Sequence, residues 1–193
     1  MTEVRLRSIF LHVCVPGQDD NADTLPLDKP FPSLEAIGRD LAVVLDEVGA
    51  KTCIGIGDGA GANVICRFAI HNPNRCMGII LCHCTSTTAG VWEYMNNKRM
   101  GRKLSTSGMN QSVYDYLIEH KFGANADSDA IQPFLDDLKS RINPQNLARY
   151  FDSFLKRTDL SSILASQLKV WRVVGGRSGA ASHLTLQKTY ALP

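Results

Sequence analysis

The sequence has no apolar run approaching the roughly 18 residues that would cross a bilayer. It also has no long block of like charge, no low-complexity stretch and no internal repeat. The first absence argues against a membrane-spanning helix. The second argues against a dedicated nucleic-acid binder, which carries a basic stripe; the formal net charge is only +2. Met1 to Ser8 puts charges where a signal peptide needs apolar residues, and neither terminus carries a lipidation motif. A cytoplasmic protein is expected. There is no CxxC or HxxxH pair, so a four-ligand zinc site lacks its usual donors. Cys14, Cys53, Cys66, Cys76, Cys82 and Cys84 are expected to be small, buried thiols in a reducing compartment. No metal and no cofactor is expected.

What is present fits one globular domain over residues 1–193: 44% hydrophobic and 21% charged, enough to bury a sizeable core. Strand and helix signals alternate. Ser8–Val15 is apolar and β-prone, and Pro16-Gly17 stops it. A polar, proline-rich loop follows to Pro32. Ser33 looks like a helix N-cap, and Leu34, Ile37, Leu41, Leu45 and Val48 share one helical face, with Gly49 as the stop. Thr52–Gly57 predicts a strand that runs through a glycine-rich turn into a helix over Asn63–His71, ended by Asn72-Pro73. Met77–Cys82 is apolar throughout, as a strand covered on both faces should be. Strands separated by helices should be parallel, with right-handed crossovers. The sum is a doubly wound α/β sheet.

From about Ala89 to Leu160 only helical signals occur: Val91–Met100, Val113–Phe122, Ser128–Arg141 and Gln145–Arg157. Leu168–Val174 then returns as a strand. A helical block of that length between two strands of one sheet is an inserted cap. The densest basic stretch, Asn97–Lys103, reads as a solvated connection after a helix. Trp92 and Tyr94 are expected in the cap's packing and His120 on its surface. Cys82 and Cys84 are expected on one face of a strand end and His83 on the other, a poor chelate. His12 reads as a strand histidine. His71 reads as a helix-end histidine that suits the C-terminal dipole.

The glycine-rich turn allows three readings. A Walker loop needs Lys and then Ser or Thr after its last glycine; Ala62 and Asn63 follow Gly61, which excludes it. A dinucleotide fingerprint matches Gly57-x-Gly59-x-x-Ala62, but no acid lies at the end of the next strand, and Asp58 would repel a pyrophosphate. The third is a nucleophile elbow, G-x-S-x-G on a sharp strand-to-helix turn. Gly57-Asp58-Gly59-Ala60-Gly61 keeps the flanking glycines and puts Gly59 in the nucleophile's place. Glycine holds the backbone but cannot attack a carbonyl. The acid position after the last strand, Gly175–Ala180, has no carboxylate, and His183 comes too soon to be the base. The expectation is an α/β-hydrolase-like fold, a mostly parallel sheet with flanking helices and a cap at about 89–160, without catalytic residues.

At this elbow the sequence resembles the N-myc downstream-regulated (NDRG) family, a non-enzymatic branch of the α/β-hydrolase fold. His12–Gln18, Pro32-Ser33-Leu34, Ile54–Ala62, Arg67–Pro73 and Gly78–Leu81 are similar to family segments in order. So are Asn143–Leu147 and Arg157–Leu160 near the end of the cap. The sequence departs from the family at Cys14 and Gly176, where the family usually has Asp. It starts at about the family's fourth strand and stops soon after Val174, which reads as a partial fold. The resemblance implies no catalytic residue. It implies a cytoplasmic role in signal transduction, differentiation or stress response through protein partners, with lipid as a further candidate.

Overall fold

The protein is described by a computed structural model that covers residues 8–123, 128–167 and 172–174. Its elements run α1 (Leu34–Glu47), β1 (Cys53–Asp58), α2 (Ala60–His71), β2 (Cys76–Cys82), α3 (Val91–Ser107), α4 (Gln111–Phe122), α5 (Ser128–Arg141), α6 (Pro144–Leu155), α7 (Ser161–Gln167) and β3 (Arg172–Val174). The strands form one parallel sheet in the order β1-β2-β3. Helices α3 to α6 fall between β2 and β3, as expected of a cap. Gly175–Pro193 lies outside the described residues, with the expectations for the acid position and His183.

Helix α2 builds the centre because it has two buried faces. Ala62, Cys66 and Ala69, spaced four and three residues apart, meet Ile79 and Leu81 of the sheet, Leu160 just before α7 and Leu164 within it. Val64 turns the other way and packs with Leu34 and Ile37 of α1. Gly38 lets α1 and α2 approach closely: a Cβ there would lie 2.5 Å from the Arg67 Cβ and 2.9 Å from the Val64 carbonyl oxygen. Ser33 caps α1 through the Ala36 amide at 3.1 Å. Thus the N-cap of α1 and its face through Leu45 are as the sequence indicates, while Val48, expected on the same face, caps the helix and is exposed.

The cap has its own apolar cluster, Leu104, Val113 and Ala148 with Met100, Leu117 and Phe151. Helix α3 continues seven residues beyond the expected Met100, so the basic stretch Asn97–Lys103 lies inside a helix rather than after one. The reason is Leu104, whose burial against α6 rewards the extra turns. The Asn143-Pro144 pair starts α6 cleanly. Asn143 accepts from the Gln145 and Asn146 amides, and proline at the first turn loses no helical hydrogen bond. Buried Asn146 then pins the proline-rich loop: it donates to the Gly17 and Asp23 carbonyls at 3.0 and 2.9 Å and accepts from the Leu25 amide at 2.9 Å.

Three expectations need correction. Ser8–Val15 forms no strand; among the described residues it has no ladder partner, and Ile9, Phe10, Leu11 and Val13 are exposed. Local β-propensity cannot replace a neighbouring strand. The sheet is not covered on both faces by the described residues either. The side bearing Ile54, Ile56 and Ile80 is open, with Ile54 59% and Ile56 58% exposed. Finally, the thiols are not uniformly buried: Cys66 is, Cys14 is exposed, and Cys53, Cys76, Cys82 and Cys84 are intermediate.

The open face gives a test. Ile56→Thr should lower binding of the apolar dye ANS while changing unfolding free energy by less than about 0.5 kcal/mol, the range for a surface position. A loss of several times that amount in denaturant titrations would mean that this face is covered.

Candidate functional site

The turn between β1 and α2 has the geometry of a strained elbow. Gly59 sits at φ 55°, ψ −117°, and its amide donates to the Cys82 carbonyl at 2.9 Å, tying the turn to the end of β2. Such a positive φ is costly for any residue with a Cβ. Gly57 is required for a different reason. A Cβ at that position would lie 2.6 Å from the Ala62 Cα and amide nitrogen, so the start of α2 leaves no room for one. Gly61 has neither constraint, because nothing lies within 4 Å of its Cβ position. The same holds for space at Gly59. Its requirement is conformational, and the position holds no side chain that could act as a nucleophile.

Asp58 and His83 meet beside this turn. The Nδ1 of His83 lies 2.8 Å from Oδ1 of Asp58, and both side chains are more than half exposed. His83 has φ 48°, a left-handed conformation unusual for histidine. That turn ends β2 at Cys82, where the sequence places the strand's end, so Cys84 lies beyond the ladder and does not share a strand face with Cys82 as expected. Considered one at a time, Asp58 reads as a turn acid and His83 as a strand-end residue. The parallel register, which places Asp58 opposite Cys82, brings them together. Strand-end adjacency in a β-turn-α-β unit is the signal that could have found the pair.

Behind the elbow lies a buried cation that sequence reasoning missed. Arg67 is 1% exposed. Its Nε donates to Asn63 at 2.9 Å, while its terminal nitrogens donate to the Thr158 hydroxyl and carbonyl at 2.8 and 2.9 Å and pair with Glu35. Glu35 also pairs with His71, so His71 is tied to α1 rather than only placed at a helix end. Asn63 passes the link on, donating to the Thr85 carbonyl at 2.8 Å. A second buried cation, Arg157, holds Glu93 at 2.9 Å and donates to the Thr87 carbonyl at 2.8 Å. The loop after β2 is therefore anchored at Thr85 and Thr87, and at Ser86 through the Leu160 amide at 2.8 Å. A lone arginine within the apolar run Val64–Ile70 was the available sign.

The remaining expected positions lie apart from the elbow. Tyr94 is half-buried and its hydroxyl accepts from Lys98 at 3.0 Å; the side chain of Trp92 lies outside the described residues. His120 stacks on Tyr116, and His12 is exposed. Among the described residues no group of three His, Cys, Asp or Glu could hold a metal ion, and no helix is long and apolar enough to cross a membrane. A cavity of about 730 Å³ lies between α3, α6 and the loop preceding α1, bordered by Phe31, Lys98, Arg102 and Arg149. The elbow does not line it.

Known proteins agree with this geometry. The chain resembles a thermophilic esterase from Thermogutta terrifontis (TM-score 0.63, 19% identity, 79% of this chain and 55% of the esterase). It also resembles MenH from S. aureus (TM-score 0.64, 15% identity, 83% and 61%). The fold is thus α/β-hydrolase-like. The profile of the Ndr family matches residues 1–190, and the chain belongs to that family. It is 48% identical to an uncharacterised protein of Caenorhabditis elegans over 95% of this chain and 55% of that protein. It is 26% identical to the NDRG2 protein of Mus musculus over 83% and 42%. The chain spans about half the length of the curated relatives it matches.

Two tests follow from the geometry. Gly57→Ala should destabilise the protein by at least about 1–3 kcal/mol, the cost of forcing atoms into packed space. Gly61→Ala should be neutral or stabilising by up to about 1 kcal/mol, because alanine is the better helix former. Equal effects in denaturant titrations would contradict the elbow packing. The second test concerns Glu35. Burial works to raise its carboxyl, but the hydrogen bonds from His71 and Arg67, with their charges, outweigh it and hold the group below its ordinary value of 4.5. A lowered native value contributes stability above the ordinary value and loses it as pH falls through the native one. Unfolding free energy should therefore drop below pH 4.5, and Glu35→Gln should flatten that drop. A Gln variant whose pH profile parallels the wild type would contradict the assignment.

Proposed function

We propose that this chain is a non-catalytic member of its family that works in the cytoplasm by binding protein partners, in signal transduction, differentiation or stress response. The observation that carries this reading is Gly59: the turn that would present a nucleophile has the shape and no reacting atom. The acid position, Gly175–Ala180, has no carboxylate in the sequence, which adds support. Nothing in the charge pattern favours a nucleic acid. Lipid surfaces are the second class of partner consistent with the reading, and the elbow is its scaffold rather than its reaction centre.

One observation favours a second reading, a hydrolase-fold enzyme. Asp58 accepting from His83 Nδ1 would leave the other ring nitrogen free to take a proton, which is the arrangement of a general base held by a carboxylate. An oxidoreductase using the glycine-rich turn gains no such support, because Asp58 within the turn would repel a pyrophosphate.

Purified protein incubated with p-nitrophenyl acetate and a fluorophosphonate probe separates the two. The non-catalytic reading expects no covalent labelling and no turnover above that of free imidazole. Sustained turnover lost in both His83→Ala and Asp58→Asn would establish the second reading.

A further inference from the structure

Two thiols meet behind the elbow from different parts of the chain. Cys66 projects from α2, and Cys84 from the loop after β2, 18 residues later; their sulfurs are 3.8 Å apart. Cys66 is fully buried, with 0% exposure, while Cys84 is partly accessible. The buried guanidinium groups of Arg67 and Arg157 both favour a negative charge on Cys84. The contact with the Cys66 sulfur favours it more strongly still, and together these outweigh burial and bring the Cys84 thiol below its ordinary value of 9.0. The same contact and burial push Cys66 up. The site thus holds a partly accessible sulfur, that of Cys84, in contact with a fully buried one, that of Cys66. That is the pairing of an attacking and a resolving cysteine.

We propose that Cys84 and Cys66 form a reversible dithiol–disulfide couple, with hydrogen peroxide as the oxidant and Cys84 as the sulfur that reacts first. The Cys84 thiolate attacks one peroxide oxygen. The O–O bond breaks, and the leaving hydroxide takes up a proton to become water, so Cys84 becomes a sulfenic acid. Cys66 then gives up its proton and attacks the Cys84 sulfur. The S–O bond breaks, and the released hydroxide leaves with that proton as a second water. In sum two thiols are oxidised to one disulfide and one peroxide is reduced to two waters.

Closure needs only a small approach of the two sulfurs. A disulfide needs its sulfurs at about 2.05 Å, so they must approach by somewhat less than 2 Å. Cys84 lies in a loop outside the sheet ladder, next to left-handed His83, and can move without breaking a strand pair. The consequence falls on the elbow. Cys66 is one turn past Asn63, which holds Thr85, and Cys84 is two residues past Cys82, whose carbonyl holds Gly59. Oxidation would tie α2 to the end of β2 by a covalent bond at the place where those hydrogen bonds already join them.

The test uses the full chain. Reduced protein is titrated with hydrogen peroxide, remaining thiols are alkylated, and peptides are identified by mass spectrometry. The expected result is a Cys66–Cys84 cross-linked peptide, lighter by two hydrogens, that disappears with dithiothreitol. In Cys66→Ser, dimedone should label Cys84 as a trapped sulfenic acid. A third readout needs no variant: iodoacetamide should alkylate Cys84 in wild-type protein at lower pH than Cys53 or Cys76, whose thiols burial raises. Oxidation confined to Cys14 or Cys82, with Cys66 and Cys84 recovered as free thiols, would overturn the proposal. So would alkylation of Cys84 only at the pH of the other thiols.

Discussion

A single buried guanidinium, that of Arg67, joins the parts of this molecule that would otherwise be separate layers. It leaves α2 toward α1, where Glu35 meets it, and toward the chain leaving the cap, where Thr158 supplies a hydroxyl and a carbonyl. Asn63, one turn earlier, accepts from the same group and hands the connection to Thr85. A buried charge of this kind is expensive to leave unpaired, by about 3–5 kcal/mol when a partner is removed. Each of its partners is thereby fixed in place. Gly38 belongs to the same constraint, because only a residue without a Cβ lets α1 come close enough for Glu35 to reach Arg67.

This constraint explains why the turn keeps its shape with glycine at position 59. The turn at Gly59 is anchored from outside itself: by the Cys82 carbonyl, by the close contact of Gly57 with Ala62, and by the Arg67–Asn63–Thr85 chain behind it. Replacing a nucleophile by glycine removes strain rather than adding it. The turn is therefore held by its surroundings and needs no side chain at position 59 to keep its shape. The Cys66–Cys84 contact lies in the same place, where a change in redox state would act on the elbow rather than on a remote surface.

The sequence was most readable where one local pattern decided the outcome. The glycine spacing located the elbow, the Ser33 cap and apolar face defined α1, and Asn143-Pro144 started α6. It was least readable where the deciding partner lies far along the chain. Ser8–Val15 has the composition of a strand, but a ladder needs a neighbour that composition does not reveal. Asn97–Lys103 is basic and contains a glycine, so it resembles a break; burial of Leu104 against α6 makes it helix. Asp58 and His83, 25 residues apart, become a pair only through the register of β1 and β2. Arg67 was hidden for the same reason, since its partners are 32 and 91 residues away.

The central claim, that Arg67 couples the elbow helix to the end of the cap, can be measured by a double-mutant cycle. Arg67→Lys keeps a charge but loses the planar fork, and Thr158→Ala removes one hydrogen-bond acceptor. Residues sharing a buried hydrogen bond show coupling energies of about 0.5–3 kcal/mol. A coupling in that range between the two substitutions, from equilibrium unfolding of the wild type, both single variants and the double variant, is the predicted result. Effects that simply add would contradict it.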